Sequence, residues 1–344
     1  MKFPLRHTAR VTLLFLLLTI PVKNLSAAET LSFDLTRHGK IIKSAFTGVV
    51  AQAKHAVVKV EINRAKTSTG TLVKYESEDK TGLVLCKASL LGEFVSSEDQ
   101  FRCCDTAGVW RAAQFLGYDR ELDLCFLKID LSDFSTQKNI PHAAHTEAGQ
   151  WLVSLGYQQK LPMGIGVLGA EPRVIDSSQG FAGLSVDETD NGLSVTKVMA
   201  NSGASRAGFL TGDRLMETDN KQAKKRRWLS KLLRQYEPGD WLPLLAKRGG
   251  MVIKLDLQIG TPWMNVFERQ ALMNRFGSDV SERRTGFRSV FQHDTILHPK
   301  NCGGPIVNLK GELVGVNIAR AGRTDTLAVP IQEILDTAKK YENK

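Results

Sequence analysis

The turn Asn301-Cys302-Gly303-Gly304-Pro305 carries the most pointed chemistry in this chain: a thiol flanked by glycines and followed by an apolar run. A cysteine becomes a strong nucleophile when a neighbouring imidazole or cation lowers its pKa. Such a nucleophile needs a base. His55, His293 and His298 lie in or beside strand-like segments, His298 four residues before Cys302 and His293 on the run leading into it. The remaining cysteines are Cys86, Cys103, Cys104 and Cys125. With an odd total, at least one thiol stays unpaired even where disulfides form. Adjacent Cys103 and Cys104 bond each other only with strain, while a bridge from either to Cys86 or Cys125 is open. Neither C-x-x-C nor H-E-x-x-H occurs, and His142-x-x-His145 follows Pro141 in a polar stretch that reads as a loop. The residues call for no metal and no cofactor.

Short strands must position that turn. Ala56–Ile62 alternates apolar and polar residues. Gly70–Val73, Gly82–Leu91, Val109–Leu116 and Leu122–Ile129 follow with turn residues between them, the pattern of a small barrel or sandwich. A second β series opens at Gln150–Gly156 and Gly164–Leu168. It resumes only at Gly286, with Ser289–Gln292, Gly304–Asn308 and Gly311–Ile318. The interval reads as a unit of its own: strands at Phe181–Val186, Leu193–Met199, Asp213–Met216, Trp241–Ala246 and Met251–Ile259, a helical turn at Ser205–Phe209, and a helix over Ala223–Tyr236. Trp228, Leu232 and Leu233 give that helix an apolar stripe, and Pro238-Gly239 stops it. Trp263–Phe276 reads as an amphipathic connecting helix.

The N-terminus reads as a leader. Lys2, Arg6 and Arg10 precede an apolar run, Val11–Val22, too short to span a bilayer, and Ser26-Ala27-Ala28 suits signal-peptidase cleavage. The expected exported chain of roughly 315 residues is long enough for two or three compact units. Loss of the leader's four cations, Lys2, Arg6, Arg10 and Lys23, with no acid among them, reduces the formal charge from +10 to +6. That mild basicity points to no nucleic-acid partner. The cluster Lys224-Lys225-Arg226-Arg227 is either a solvated face or an anion site.

The residues from Ser289 through Asn301-Cys302-Gly303-Gly304-Pro305 to Gly315-Val316-Asn317 resemble the nucleophile region of the trypsin-like HtrA/Deg serine proteases, and Ala328-Val329-Pro330 matches that family's Ala-Ile-Pro segment. Gly70–Val73, Gly82–Leu91 and Asp123–Ile129 are similar to its first-barrel segments. Phe181-Ala182-Gly183-Leu184 and Ser205–Asp213 resemble the carboxylate-binding loop and the following turn of a PDZ domain. Lys87-Ala88-Ser89 and Ser281–Phe287 are similar to segments of exported PDZ-containing trypsin-like proteins of planctomycete-type bacteria. The resemblance implies a mostly β fold: two chymotrypsin-like six-stranded β-barrels with an α+β PDZ domain inserted in the second. The expected divisions are a signal peptide over 1–28, the first barrel over 44–148, the start of the second over 149–178, the PDZ domain over 179–260, a helical linker over 261–285, and the rest of the second barrel over 286–340. In HtrA proteins the PDZ domain normally follows the complete protease domain, so this insertion is a departure.

The resemblance puts the triad carboxylate at Asp123, the imidazole position at Ser89 and the nucleophile position at Cys302. Lys300, Asn301 and Gly303 form the oxyanion-hole turn, Lys300 standing where the family has glycine. A serine hydroxyl has no usable basicity near neutral pH, and loss of one triad member typically costs several powers of ten in rate. Asp123 could instead be an ordinary hydrogen-bonded or ion-paired acid beside Arg120 and Lys128. The expectation is an exported, catalytically degenerate peptide or unfolded-protein binder. It would take peptides, C-termini included, at Phe181, Ala182, Gly183 and Leu184, have no membrane span once the leader is removed, and could form a homo-oligomer. The alternatives are an endopeptidase using Cys302 in place of serine, and a redox or stress sensor using the surplus thiol.

Overall fold

The computed structural model describes residues 32–76, 78–91, 99–132, 140–178, 180–216, 223–260 and 279–342. The expected leader and the connecting helix at 263–276 lie outside the described residues. Helices α1 (Lys40–Ser44) and α2 (Thr47–Ala53) lead into a first barrel made of β1 (Val57–Ile62), β2 (Lys66–Glu76), β3 (Thr81–Lys87), β4 (Phe101–Cys104), β5 (Trp110–Asp119) and β6 (Leu124–Asp130). The short helix α3 (Ala88–Leu91) caps β3. The strand order β1-β2-β3-β6-β5-β4 closes on itself, β4 pairing back with β1.

Alternation in β3 explains how one strand serves two cores. Val84, Cys86 and Ala88 point into the first barrel with Cys125, Leu127 and Ile129 of β6. Leu83 and Leu85 point the other way, joining Leu124 and Phe126 in a core shared with the second barrel. Lys87 is next in that second register and is therefore delivered, buried, to the seam between the barrels.

The second barrel begins with β7 (Trp151–Ser154) and β8 (Gly164–Ile175). The chain then leaves it for a sheet of β9 (Leu184–Thr189), β10 (Gly192–Val198), β11 (Arg214–Met216), β12 (Trp241–Arg248) and β13 (Met251–Gln258), ordered β13-β12-β11-β10-β9 and packed with α4 (Gly203–Ala207) and α5 (Arg226–Leu233). It returns as β14 (Phe287–His293), followed by β15 (Pro305–Val307), β16 (Leu313–Arg320), β17 (Thr326–Pro330) and α6 (Ile331–Glu342). The order β14-β17-β16-β15-β7-β8 closes the barrel through β8 and β14. Departure and return are direct neighbours, Ile175 facing Phe287. The ends of the inserted unit also meet, with Phe181 and Gly260 exchanging two backbone hydrogen bonds of 2.9 Å. An insertion whose ends lie this close interrupts a hairpin without opening the barrel.

Several segments differ from expectation. The strand-like run Gly82–Leu91 ends as strand at Lys87, with Ala88–Leu91 helical, and the strand expected over Phe181–Val186 runs over Leu184–Thr189. The helix expected over 223–236 is confined to Arg226–Leu233. Ala223 is held in an extended connection, donating to Leu215 O and accepting from Leu193 N, and no side chain caps the helix at Lys225. Strand β4 carried no sequence signal, being only four residues that end in the Cys103-Cys104 pair. Strand β2 extends well beyond Gly70–Val73 on both sides, because Lys66–Thr71 pairs with β1 and Gly70–Glu76 pairs with β3.

Candidate functional site

The end of β3 and the start of β6 bring Lys87, Ser89 and Asp123 together. Asp123 has left-handed backbone (φ +55°), which turns its carboxylate back under α3, where its carbonyl accepts from the Ala88 amide at 2.9 Å. The carboxylate takes three donors: the Ser89 amide at 2.8 Å, the Ser89 hydroxyl at 2.7 Å, and Lys87 Nζ at 2.5 Å. The Lys87 and Asp123 side chains are 2% and 0% exposed. Asp123 is thus ion-paired, but with Lys87. Arg120 turns to Asp240 at 2.7 Å, and Lys128 is exposed. Lys87 also donates to the Arg283 carbonyl at 3.4 Å. A nitrogen held as a donor to a carboxylate and a carbonyl is not placed to accept a proton.

Cys302 lies across the seam and is fully buried. Its turn is a 3-10 turn, Pro299–Asn301, in which every amide from 300 to 303 has an internal acceptor. Lys300 donates to His298 Nδ1 at 3.3 Å, Asn301 to His298 O at 2.8 Å, Cys302 to Pro299 O at 3.1 Å, and Gly303 to Asn317 O at 2.6 Å. An oxyanion needs such amides convergent and unengaged. Gly303 has φ +97°, and a Cβ there would come within 2.1 Å of Thr69 O, so only glycine fits this crossing of the barrels.

Over the thiol lies the segment that returns from the inserted unit. The Ser281 amide donates to Arg320 O and the Arg320 amide to Ser281 Oγ, each at 2.9 Å, and that hydroxyl sits 4.0 Å from Cys302 Sγ. Burial raises the Cys302 pKa, against opposing contributions from Lys87, the Ser281 hydroxyl and the Arg320 amide. A thiol so placed is protonated near neutral pH and weakly nucleophilic.

The candidate imidazoles stand elsewhere. His293 is buried in the second barrel, its Nε2 2.9 Å from Asn317 Oδ1, and burial pushes its pKa down to about 4. His298 is exposed, with Nε2 3.8 Å from Asp279. His55 lies in the turn Lys54–Ala56 before β1. The groups acting on the Cys302 thiol include no histidine. A cavity of about 420 Å³, lined by Lys87, Ser89, Ser281, Arg284, His298 and Pro299 among others, occupies the seam beside these groups.

The inserted unit docks on this seam. Arg283, 1% exposed, pairs through its guanidinium with Asp240 of the inserted unit and donates to Arg120 O at 2.7 Å. Arg120 in turn reaches Asp240. Lys87, Ser281, Arg283 and Asp240 carried no role in the sequence reading. For Lys87 a signal existed, a cation ending an otherwise apolar strand in the register of Leu83 and Leu85. For Arg283 and Asp240, far apart in sequence, there was none.

The second predicted site is a groove between β9 and α5. Gly183 has φ +81°, and its missing side chain leaves room for Ser202, which a Cβ would approach to 2.2 Å. Among the described residues the Ala182 and Gly183 amides have no acceptor, whereas the Phe181 amide is taken by Gly260 O. Leu184 and Val186 of β9, with Trp228 and Leu232 of α5, give the groove partly buried apolar walls. At the other end Lys225 bonds Glu188 at 3.0 Å, and Arg226 pairs with Asp187. The basic cluster there is exposed and partly neutralised.

Comparison with known proteins agrees with this division. The family described as "PDZ domain" matches residues 180–259. A stretch of 53 residues, 15% of this chain, is 36% identical to mouse "Serine protease HTRA3"; it covers 12% of that protein's length. The crystal structure of the serine endoprotease from Yersinia pestis aligns over 62% of this chain and 97% of that one, with 19% identity and a TM-score of 0.29. The chain has two closed six-stranded barrels, with a PDZ domain inserted in the second. Among the described residues no helix is long and apolar enough to cross a membrane.

Proposed function

We propose that this HtrA-like protein is an exported pseudoprotease that holds peptides or unfolded segments in envelope protein quality control, through its PDZ groove. The observation that carries the reading is the space beside Asp123. Lys87 Nζ and Ser89 Oγ both bond the carboxylate there, so the site offers Asp123 to a cation and a hydroxyl rather than to a proton-accepting imidazole. The buried Cys302 thiol and the engaged amides at 300–303 support the same conclusion. Holding fits the PDZ loop: two amides without an internal acceptor can take a terminal carboxylate while the peptide adds as a strand to β9.

The test is incubation of the full-length protein with unfolded casein, with and without Cys302→Ala, alongside binding of peptides that end in a free carboxylate. The reading expects no cleavage by either protein and carboxylate-dependent binding by both. Casein cleavage abolished by Cys302→Ala would overturn it in favour of a cysteine endopeptidase.

A further inference from the structure

We propose that Cys86 and Cys125 form a disulfide inside the first barrel, stapling together the two strand ends that carry Lys87 and Asp123. In the antiparallel β3–β6 pair, Cys86 stands directly opposite Cys125. Residues so opposed have Cα atoms about 4.5–5.5 Å apart, within the roughly 4.4–6.8 Å that disulfides span. Both side chains project to the same side, into the core shared with Val84, Leu127 and Ile129, and Cys125 is the neighbour that acts most strongly on the Cys86 thiol. Cys86 immediately precedes Lys87, and Cys125 is two residues beyond Asp123, so the bridge would fix the approach of the two groups that meet at the barrel seam.

The other thiols are worse placed. Cys103 faces Val60 on β1 and Arg111 on β5, with no cysteine opposite, although it is near enough to Cys86 to influence it electrostatically. Cys104 accepts from the Tyr157 hydroxyl at 3.1 Å, and Cys302 lies under Ser281. Cys103 is therefore the competitor to exclude.

Both partners are fully buried, and the neighbouring Cys125 thiol together with burial raises the Cys86 pKa, so neither thiol is open to attack once the barrel has closed. The bond forms while β3 and β6 are coming together, by exchange with an oxidised small-molecule thiol. One protein thiolate attacks that disulfide and releases one small thiolate; the second attacks the protein sulfur of the resulting mixed disulfide and displaces the other. The products are one protein S–S bond and two small thiols, which take up the two electrons and two protons.

The full-length protein is refolded in glutathione buffers of graded oxidised-to-reduced ratio, quenched in acid, and alkylated under denaturing conditions. Mass and peptide mapping of wild type and Cys103→Ser are then read. The expected result under oxidising ratios is three alkylated cysteines in wild type and a mapped Cys86–Cys125 bridge in both proteins, lost as the buffer becomes reducing. Five alkylated cysteines at every ratio overturns the proposal. So does a bridge that maps to Cys103 or Cys104, or one that disappears in Cys103→Ser.

Discussion

Lys87→Met removes a buried cation of similar length from an ion pair whose two side chains are 2% and 0% exposed, and it leaves Asp123 behind. Breaking a buried pair from one side typically costs about 3–5 kcal/mol, because the remaining charge has neither water nor its partner. Asp123 keeps its bonds from the Ser89 amide and hydroxyl, which places the expected loss near the lower bound, about 3 kcal/mol. For a folding unit the size of the double barrel, each kcal/mol lowers Tm by about 2–4 °C, giving a fall of about 6–12 °C. Lys87→Met/Asp123→Asn removes the stranded charge while leaving an amide that still accepts from Ser89, and it is expected to recover most of the loss. Thermal unfolding followed by circular dichroism, with calorimetry to separate the barrel transition from that of the PDZ domain, measures both. A single variant within 2 °C of wild type, or a double variant no more stable than the single, refutes the claim that this pair occupies the seam between the barrels as an energetically coupled unit.

Further outcomes follow from the same geometry. The His293 pKa of about 4 lies below its usual 6.5, so the unfolded chain binds the proton more readily. The stability this contributes, about 3 kcal/mol, is complete above pH 6.5 and is lost as the pH falls from there toward 4. His293→Gln is expected to flatten that limb of a stability-versus-pH series, and an unchanged slope would count against it. Iodoacetamide is expected to leave Cys302 of the native protein unlabelled at pH 7–8 and to label it after denaturation, read by peptide mass; rapid native labelling would contradict the sealed, protonated thiol. Gly183→Val, which forces a side chain onto Ser202 at φ +81°, is expected to lower peptide affinity at least tenfold while the barrel transition persists in calorimetry. Amidating the peptide's C-terminus is expected to weaken binding to the unaltered protein as well, measured by fluorescence anisotropy. Asp240→Ala strands the buried Arg283 guanidinium and is expected to cost about 3 kcal/mol or more, largely restored by adding Arg283→Met.

Much of this protein is legible in its sequence because local chemistry dictates it. Alternation in Val57–Ile62 and the apolar run from Gly82 point to strands. The glycines at 183 and 303 mark turns where a Cβ cannot fit, and Phe181–Leu184 with Ser205–Asp213 is enough to indicate a PDZ domain. The interruption of the second β series between Leu168 and Gly286 even exposes the insertion, since an unpaired half-barrel has to find its other strands later in the chain. That Ser89 stands where the resemblance expects an imidazole is also plain, a matter of residue identity at one position. What surrounds Asp123 is not. Lys87 reaches Asp123 only because β3 and β6 are neighbours in a closed barrel, and Ser281 covers Cys302 only because the chain returning from the PDZ domain crosses β16 at Arg320. The Asp240–Arg283–Arg120 contact likewise joins three segments that no local pattern relates. Burial and pairing across such distances depend on the closure of the sheets, so the identity of the turn at Cys302 belongs to the sequence while its accessibility belongs to the fold.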